Sequence, residues 1–206
     1  MQLTELPPSL IPGLNVIEIS DAHVAERQRL FEANSEYSIA VNGEPPVPND
    51  AREEIHGELP AGWSFTRMWL IGYVDASGAM LAMANVVSDL LAPNVWHIGL
   101  FTVATARHGD ASSQIIYRDL EARADANGAS WLRLGVVQGN VRAERFWERL
   151  GYVQVRMRSD VKRGRLTNAI PVMIKPFRGG TLEQYLSLVE RDRSDAQNAP
   201  LPPLPG

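Results

Sequence analysis

Residues 95–137 constrain the fold more than any other part of the chain. Residues 95–103 (VWHIGLFTV) form an apolar run, and residues 107–113 are small and polar. Ile115, Ile116, Leu120 and Ala124 then recur at helical spacing until Asn127-Gly128, and residues 131–137 are apolar again. This order predicts strand, tight turn, helix, strand. Two strands of one sheet joined through a helix are parallel. The flanking segments predict hairpins instead: 65–75 returns as 79–87 across Ala76-Ser77-Gly78, and 152–157 is followed by 169–174. A single strand–helix–strand crossover inside a mixed, mostly antiparallel sheet flanked by helices is an α+β architecture.

The remaining elements fit around that sheet. Residues 14–19 alternate as a short strand, and Ser20-Asp21 caps a helix carrying Ala25, Leu30 and Phe31. Residues 43–48, with three prolines, are a loop, and Asn49-Asp50 opens a second short helix to about Glu58. After Gln138-Gly139-Asn140, a helix carries Phe146, Trp147 and Leu150 and stops at Gly151. Residues 181–191 predict a short amphipathic helix, with the domain or a second copy of the chain as its candidate partners. The expected organisation is an arm (1–13), a domain (14–178), a C-terminal helix (179–192) and a disordered tail (193–206). The prolines from Pro200 to Pro205 read as a frayed terminus in preference to a polyproline ligand.

Composition narrows the function. With 206 residues the chain buries a full core without staples. Its 20 basic and 24 acidic residues leave a net charge of −4, which disfavours a nucleic-acid partner. The absence of cysteine excludes disulfides, thiolate metal sites and a cysteine nucleophile. His23, His56, His97 and His108 lack ligand spacing, so no metal is expected. No phosphate loop, dinucleotide fingerprint, serine elbow or HExxH occurs. Neither a signal peptide nor a membrane-spanning run is evident, so a cytoplasmic location without membrane partners is expected.

The chemistry sits in the turn between strand and helix. Small residues there let a phosphate approach backbone amides at a helix N-terminus, where the dipole adds about 0.3–1 kcal/mol. A plain strand-to-helix turn has the same composition, so the turn alone leaves both readings open. The following segment, Asn140-x-x-Ala143-x-x-Phe146-Trp147-x-x-x-Gly151-Tyr152, resembles the N-x-x-A-x-x-[LF]-Y-x-x-x-G-F motif of the GNAT superfamily of acyl-CoA-dependent N-acyltransferases. The coenzyme signature of that family also aligns without a gap from Val103, with His108 at its Gln/Arg position and Ala111 and Ser113 at its two small-residue positions. The resemblance runs roughly from residue 16 to 175.

It implies a GNAT-like fold with coenzyme at a splayed strand and a helix N-terminus, and acetyl-CoA as co-substrate without a metal. Backbone amides of His108, Gly109, Asp110, Ala111, Ser112 and Ser113 would hold the pyrophosphate, and the Val103 backbone the pantetheine arm. The Phe101 amide would polarise the thioester carbonyl. Asn140 would bond the pantetheine or orient the strand end, and Phe146 is placed with the coenzyme. The sequence also departs from the family. Neither Ala111 nor Ser113 is a glycine, so neither demands positive φ and the turn must be one an alanine can adopt. Trp147 stands where many members carry a Tyr acid, and core packing accounts for it as well as chemistry does. Ile98 stands where some relatives carry a Glu base, and His97 beside it points to the other strand face unless a bulge intervenes. Glu36 is the first candidate base, ahead of Glu32 and Asp89, or water serves.

Charge is uneven. Residues 31–60 hold seven acids and one base, an expected rim for an ammonium substrate. Residues 142–165 hold eight bases and three acids, which would suit coenzyme phosphates. The reading is an acetyl-CoA-dependent N-acetyltransferase of a small primary amine. The alternative is a GNAT-fold protein that binds acyl-CoA without turning it over, as sensor or partner subunit, with a homodimer compatible with either.

Overall fold

The computed structural model describes residues 9–55, 63–109 and 111–194. Seven strands form one sheet in the order β1-β2-β3-β4-β5-β7-β6. They are β1 (Asn15–Glu18), β2 (Arg67–Val74), β3 (Met80–Ser88), β4 (Val95–Val103), β5 (Trp131–Gly135), β6 (Val153–Arg163) and β7 (Leu166–Pro176). Among the described residues only the β4–β5 pairing is parallel. That pair brackets α4 (Ser112–Ala126), the crossover helix. The other helices are α1 (Val24–Ala33), α2 (Ser35–Asn42), α3 (Asp50–Ile55), α5 (Val141–Arg149) and α6 (Leu182–Leu188). No helix among the described residues is long and apolar enough to cross a membrane.

The sheet is covered on both faces. On one, Ile116, Leu120 and Ala124 of α4 and Trp147 of α5 pack on Ala84, Ile98, Leu132 and Leu134. On the other, Leu30 of α1 packs on Leu70 and Met83, and Tyr185 of α6 on Trp131 and Ile174. Ile115, expected on the buried face of α4, is 47% exposed. Its neighbour Ile116 takes the core position, because successive helical residues lie about 100° apart.

Buried polar groups lock each layer. Asp119 of α4 accepts from Tyr73 Oη (3.0 Å), Arg123 Nε (2.7 Å) and the Leu10 amide (2.8 Å). The end of the expected N-terminal arm is thereby tied to the domain. On the opposite face, buried Arg133 of β5 forms a two-point ion pair with Asp192, at 2.7 and 3.1 Å. Tyr185 Oη donates to the same carboxylate at 2.5 Å. The segment after Gly180 is therefore fastened to the centre of the sheet.

Several boundaries differ from expectation. The first helical segment is two helices, α1 and α2, broken at Asn34, whose Nδ2 donates to the Leu30 carbonyl at 2.7 Å. Three α-helices thus separate β1 from β2 among the described residues. The last hairpin is longer than its apolar centre suggested, because β6 is an edge strand and tolerates exposed polar residues. Of the expected tail, Arg193 is held by its Nε bond to the Leu186 carbonyl (2.8 Å). Residues 195–206 lie outside the described residues, as do 1–8 and the expected end of the second helix at Glu58.

Asp192→Ala should cost about 3–5 kcal/mol, since it leaves the Arg133 charge buried and unanswered. Urea denaturation of the two proteins measures it.

Candidate functional site

β4 and β5 pair only from Val95–Trp131 to Ile98–Leu134, and then part. Each keeps its outer partner. β4 stays on β3 as far as the Ala104 amide, which donates to the Leu81 carbonyl at 2.8 Å. The chain after β5 leans the other way, with Val136 and Gln138 donating to the Pro171 and Ala169 carbonyls at 3.1 and 2.8 Å. A bulge at Gly99, where Asn85 faces Leu100 and Val86 faces Ile98, bends β4 at the point of divergence.

The register decides which backbone groups enter the gap. Val103 faces Ala82 and Phe101 faces Ala84, one residue out of phase with the bonded Ala104–Leu81 pair. Alternation along an antiparallel ladder therefore turns the N–H and C=O of Phe101 and Val103 away from β3, into the gap. A cavity of about 850 Å³ continues from there. Phe101 and Phe146 wall it with rings stacked at 6.1 Å and 11°. Ala111, Ser113 and Gln114 at the start of α4 line it, as do Asn34, Glu36 and Tyr37 at the junction of α1 and α2. Arg142 and Arg149 of α5 also line it.

The turn before α4 is tighter than expected. Ala111 sits at the helix N-cap with φ 66°, in the left-handed region. The alanine therefore occupies a conformation that favours glycine, although its identity did not demand a positive φ. That conformation costs an L-residue about 1–2 kcal/mol, and it stands at a helix start, where the first amides have no partner within the helix. Ser113 is already helical and has no such strain.

His108 differs from its expected role. Its backbone amide donates to the Thr105 carbonyl at 3.0 Å, so it is not a free phosphate donor. Its ring turns back, and Nε2 donates to the Val103 carbonyl at 2.8 Å. The imidazole thus braces the strand end and occupies an acceptor site that pantetheine was expected to use; the Val103 N–H remains turned into the gap. Gly109 lines the cavity, whereas the lining passes from Ala111 to Ser113 without Ser112. Asp110 lies outside the described residues. Asn140 lines the cavity, but its Oδ1 caps α5 by accepting from the Ala143 amide at 3.2 Å. Its oxygen orients the helix.

Glu36 is exposed on the cavity rim, while Glu32 accepts from Gln28 at 3.1 Å. Asp89 is not a candidate base: its carboxylate accepts from the Asn94 amide (2.7 Å) within the β3–β4 turn, outside the cavity lining. Trp147 is 7% exposed and packs edge-on against Phe101, Tyr117, Phe146 and Tyr152, a core role first. The reading from sequence missed Asn34, Tyr37 and Thr105. Thr105 Oγ1 donates to Asn34 Oδ1 at 2.8 Å, joining the α1–α2 break to the turn after β4. Asn34-Ser35 is a stop-and-cap signal inside a helical run, so the break was discoverable.

The bulge does intervene at Gly99, but it leaves His97 facing away from the cavity. The His97 Nδ1 lies 3.1 Å from the Arg133 carbonyl and 3.3 Å from its Nη1. Burial, reinforced by the Arg133 charge, pushes its pKa down to about 3, so the ring is neutral and a weak base. The basic residues of 142–165 also divide between faces. Arg142 and Arg149 line the cavity, whereas Arg156 lies with Arg191 on the His97 side, donating to its carbonyl.

No family model matches the chain, and no curated protein matches it. Solved structures do resemble it. A GCN5-related N-acetyltransferase from Kribbella flavida superposes with a TM-score of 0.58 at 21% identity, over 80% of this chain and 98% of that one. The ribosomal-protein-S18-alanine N-acetyltransferase of Escherichia coli gives 0.60 at 11%, over 82% and 97%. The spermidine N-acetyltransferase of Vibrio cholerae, solved with CoA and spermine, gives 0.56 at 16%, over 80% and 95%.

Ala111→Gly should raise stability by about 0.5–1 kcal/mol, the strain relieved less the added chain entropy, read as an increased denaturation midpoint. For His97 the unfolded ring takes a proton below its ordinary value near 6.5, while the folded ring stays neutral to about 3. Stability should therefore fall as pH drops from 6.5 toward 3, and His97→Gln should flatten that slope in urea titrations across this window.

Proposed function

We propose that this chain, which has the fold of the GCN5-related N-acetyltransferases, is an acetyl-CoA-dependent N-acetyltransferase acting on a primary amine of a small molecule. The observation that carries the reading is the gap itself. The Phe101 and Val103 backbone groups face it, and the same cavity ends on the strained N-terminus of α4. A thioester arm laid in the gap extends an interrupted sheet, and a pyrophosphate at its end meets the amides of Ala111 and Ser113. Arg142 and Arg149 supply positive charge for further phosphate at the cavity wall.

In this reading the nitrogen of the neutral amine forms a bond to the thioester carbonyl carbon, the C–S bond breaks, and the thiolate and one proton leave. The Phe101 N–H is aimed where negative charge develops on the carbonyl oxygen, and one such donor is worth about 3–4 kcal/mol. A thiol with a pKa of about 8.5 leaves as an anion without much help, which suits a site where Trp147 offers no usable acid. Deprotonating a lysine-like ammonium costs about 4–5 kcal/mol at pH 7, and Glu36 is the carboxylate assigned to receive that proton. The amines in the names of the Vibrio and Escherichia proteins agree with an amine acceptor.

A second reading, acyl-CoA binding without turnover, draws on the packed Trp147 and on His97 turned away from the gap. Calorimetry with acetyl-CoA, dephospho-CoA and an amine panel separates the two. Acetyl-CoA should bind, more tightly than dephospho-CoA binds, and Ala111→Glu should lose at least a hundredfold in affinity while unfolding cooperatively. Undiminished binding by Ala111→Glu overturns the site, and binding without turnover on any amine selects the second reading.

A further inference from the structure

The face of the sheet opposite α4 and α5 carries a cluster of charge outside the cavity described above. Arg133 of β5, Arg156 and Arg158 of β6 and Arg191 after α6 gather there, with Trp63 stacked against Arg133 (5.7 Å) and Arg191 (5.2 Å). Asp192 packs among them, but its oxygens are committed to Arg133 and Tyr185. His97 is neutral and adds no charge. Burial and then the like charges of Arg133, Arg191, Arg156 and Arg163 lower the pKa of Arg158, which is the signature of cations facing one another.

The register places this cluster beside the β4–β5 gap. Ile98 pairs with Leu134, Gly135 with Val172, and Val172 with Arg156. Arg156 is thus in the row of the Gly99 bulge, and Arg158 is one step further along, level with the opening. Three strand spacings separate Arg156 from Gly99, about 14 Å between Cα atoms.

Two buried side-chain atoms on this face have no hydrogen-bond partner among the described residues. At the bulge, Asn85 Oδ1 is an acceptor, 3.7 Å from where a Cβ on Gly99 would stand. In the cluster, Arg156 Nε is a donor. A buried polar atom without a partner costs about 1–3 kcal/mol, and such atoms in a native structure are commonly answered by a water, an ion or a ligand. An acceptor at one end and a donor among cations at the other are complementary to a molecule with an N–H at one end and an anion at the other.

We propose that the acceptor is a zwitterion, an amine that also carries a carboxylate, with its nitrogen at the Gly99 bulge beside Asn85 and its carboxylate on Arg156, Arg158 and Arg191. This deepens the proposed function and rests on it. Arg158 and Arg191, both half-buried, reach solvent and present the fork that matches a carboxylate.

The test compares ω-amino acids of three to six carbons with n-alkylamines of equal length. In the presence of CoA, calorimetry on the intact chain should show an amino acid of one length binding at least tenfold tighter than its alkylamine. Turnover with acetyl-CoA should show the same preference in kcat/KM. Arg158→Gln should reduce that preference at least tenfold, mainly through KM, without lowering the thermal midpoint, since it relieves repulsion. Arg158→Glu should shift preference toward diamines. Equal binding of amino acids and alkylamines by the native protein, or an unchanged preference in Arg158→Gln, overturns the proposal. Loss of acetyl-CoA binding alone overturns the proposed function, and amino-acid binding then still decides the carboxylate site.

Discussion

Everything at this site depends on one backbone constraint: two neighbouring parallel strands each hold on to their outer partner. β4 remains bonded to β3 through Ala104, and the chain after β5 remains bonded to β7 through Gln138. Past Ile98 and Leu134 the inner edges cannot both be satisfied, so the sheet opens. An opened edge leaves backbone donors and acceptors without strand partners, to be paired by a side chain, as His108 pairs the Val103 carbonyl, or by ligand or water. The aromatic group of Phe101, Phe146, Trp147, Tyr117 and Tyr152 fills the space beneath the opening, with every ring contact between 5.0 and 6.3 Å. Its rigidity keeps the strands from closing again.

Around the gap the protein concentrates local cost. Ala111 adopts a left-handed conformation at the N-cap of α4, and His108 spends its ring and its backbone amide on bracing the strand end and turn. Such strain persists only where surrounding structure over-determines it. Here the Asp119 network behind α4 and the aromatic cluster beneath it provide that hold. The far face is held differently, by the Arg133–Asp192–Tyr185 unit, which ties α6 to β5, with the neighbouring arginines facing one another.

How far the sequence alone reached can be traced through particular residues. The strand–turn–helix–strand order of 95–137 was legible because apolar periodicity and the small residues before α4 report local geometry directly. The segment from Asn140 to Tyr152 pointed to the fold, and Phe101, Gly109, Ala111 and Phe146 do line one cavity. The break at Asn34 was written in Asn-Ser but masked by continuous helical spacing on either side. His108 was misread because spacing reports position along a chain and not the direction of a ring. Arg142–Arg165 looked like one basic stretch, since the turn at Gly151 that sends its halves to opposite faces has no counterpart in a charge count.

The sequence by itself determined the strands, their order and the presence of a single crossover, because periodicity, caps and turn residues act over a few neighbours; the division of α1 from α2 it left unread. Only the tertiary structure decided that β4 parts from β5, that Val103 and Phe101 face the gap, and that Asn85 and Arg156 share a face. Those outcomes depend on register and on which outer partner each strand keeps, and such choices are settled by contacts between residues far apart in the chain.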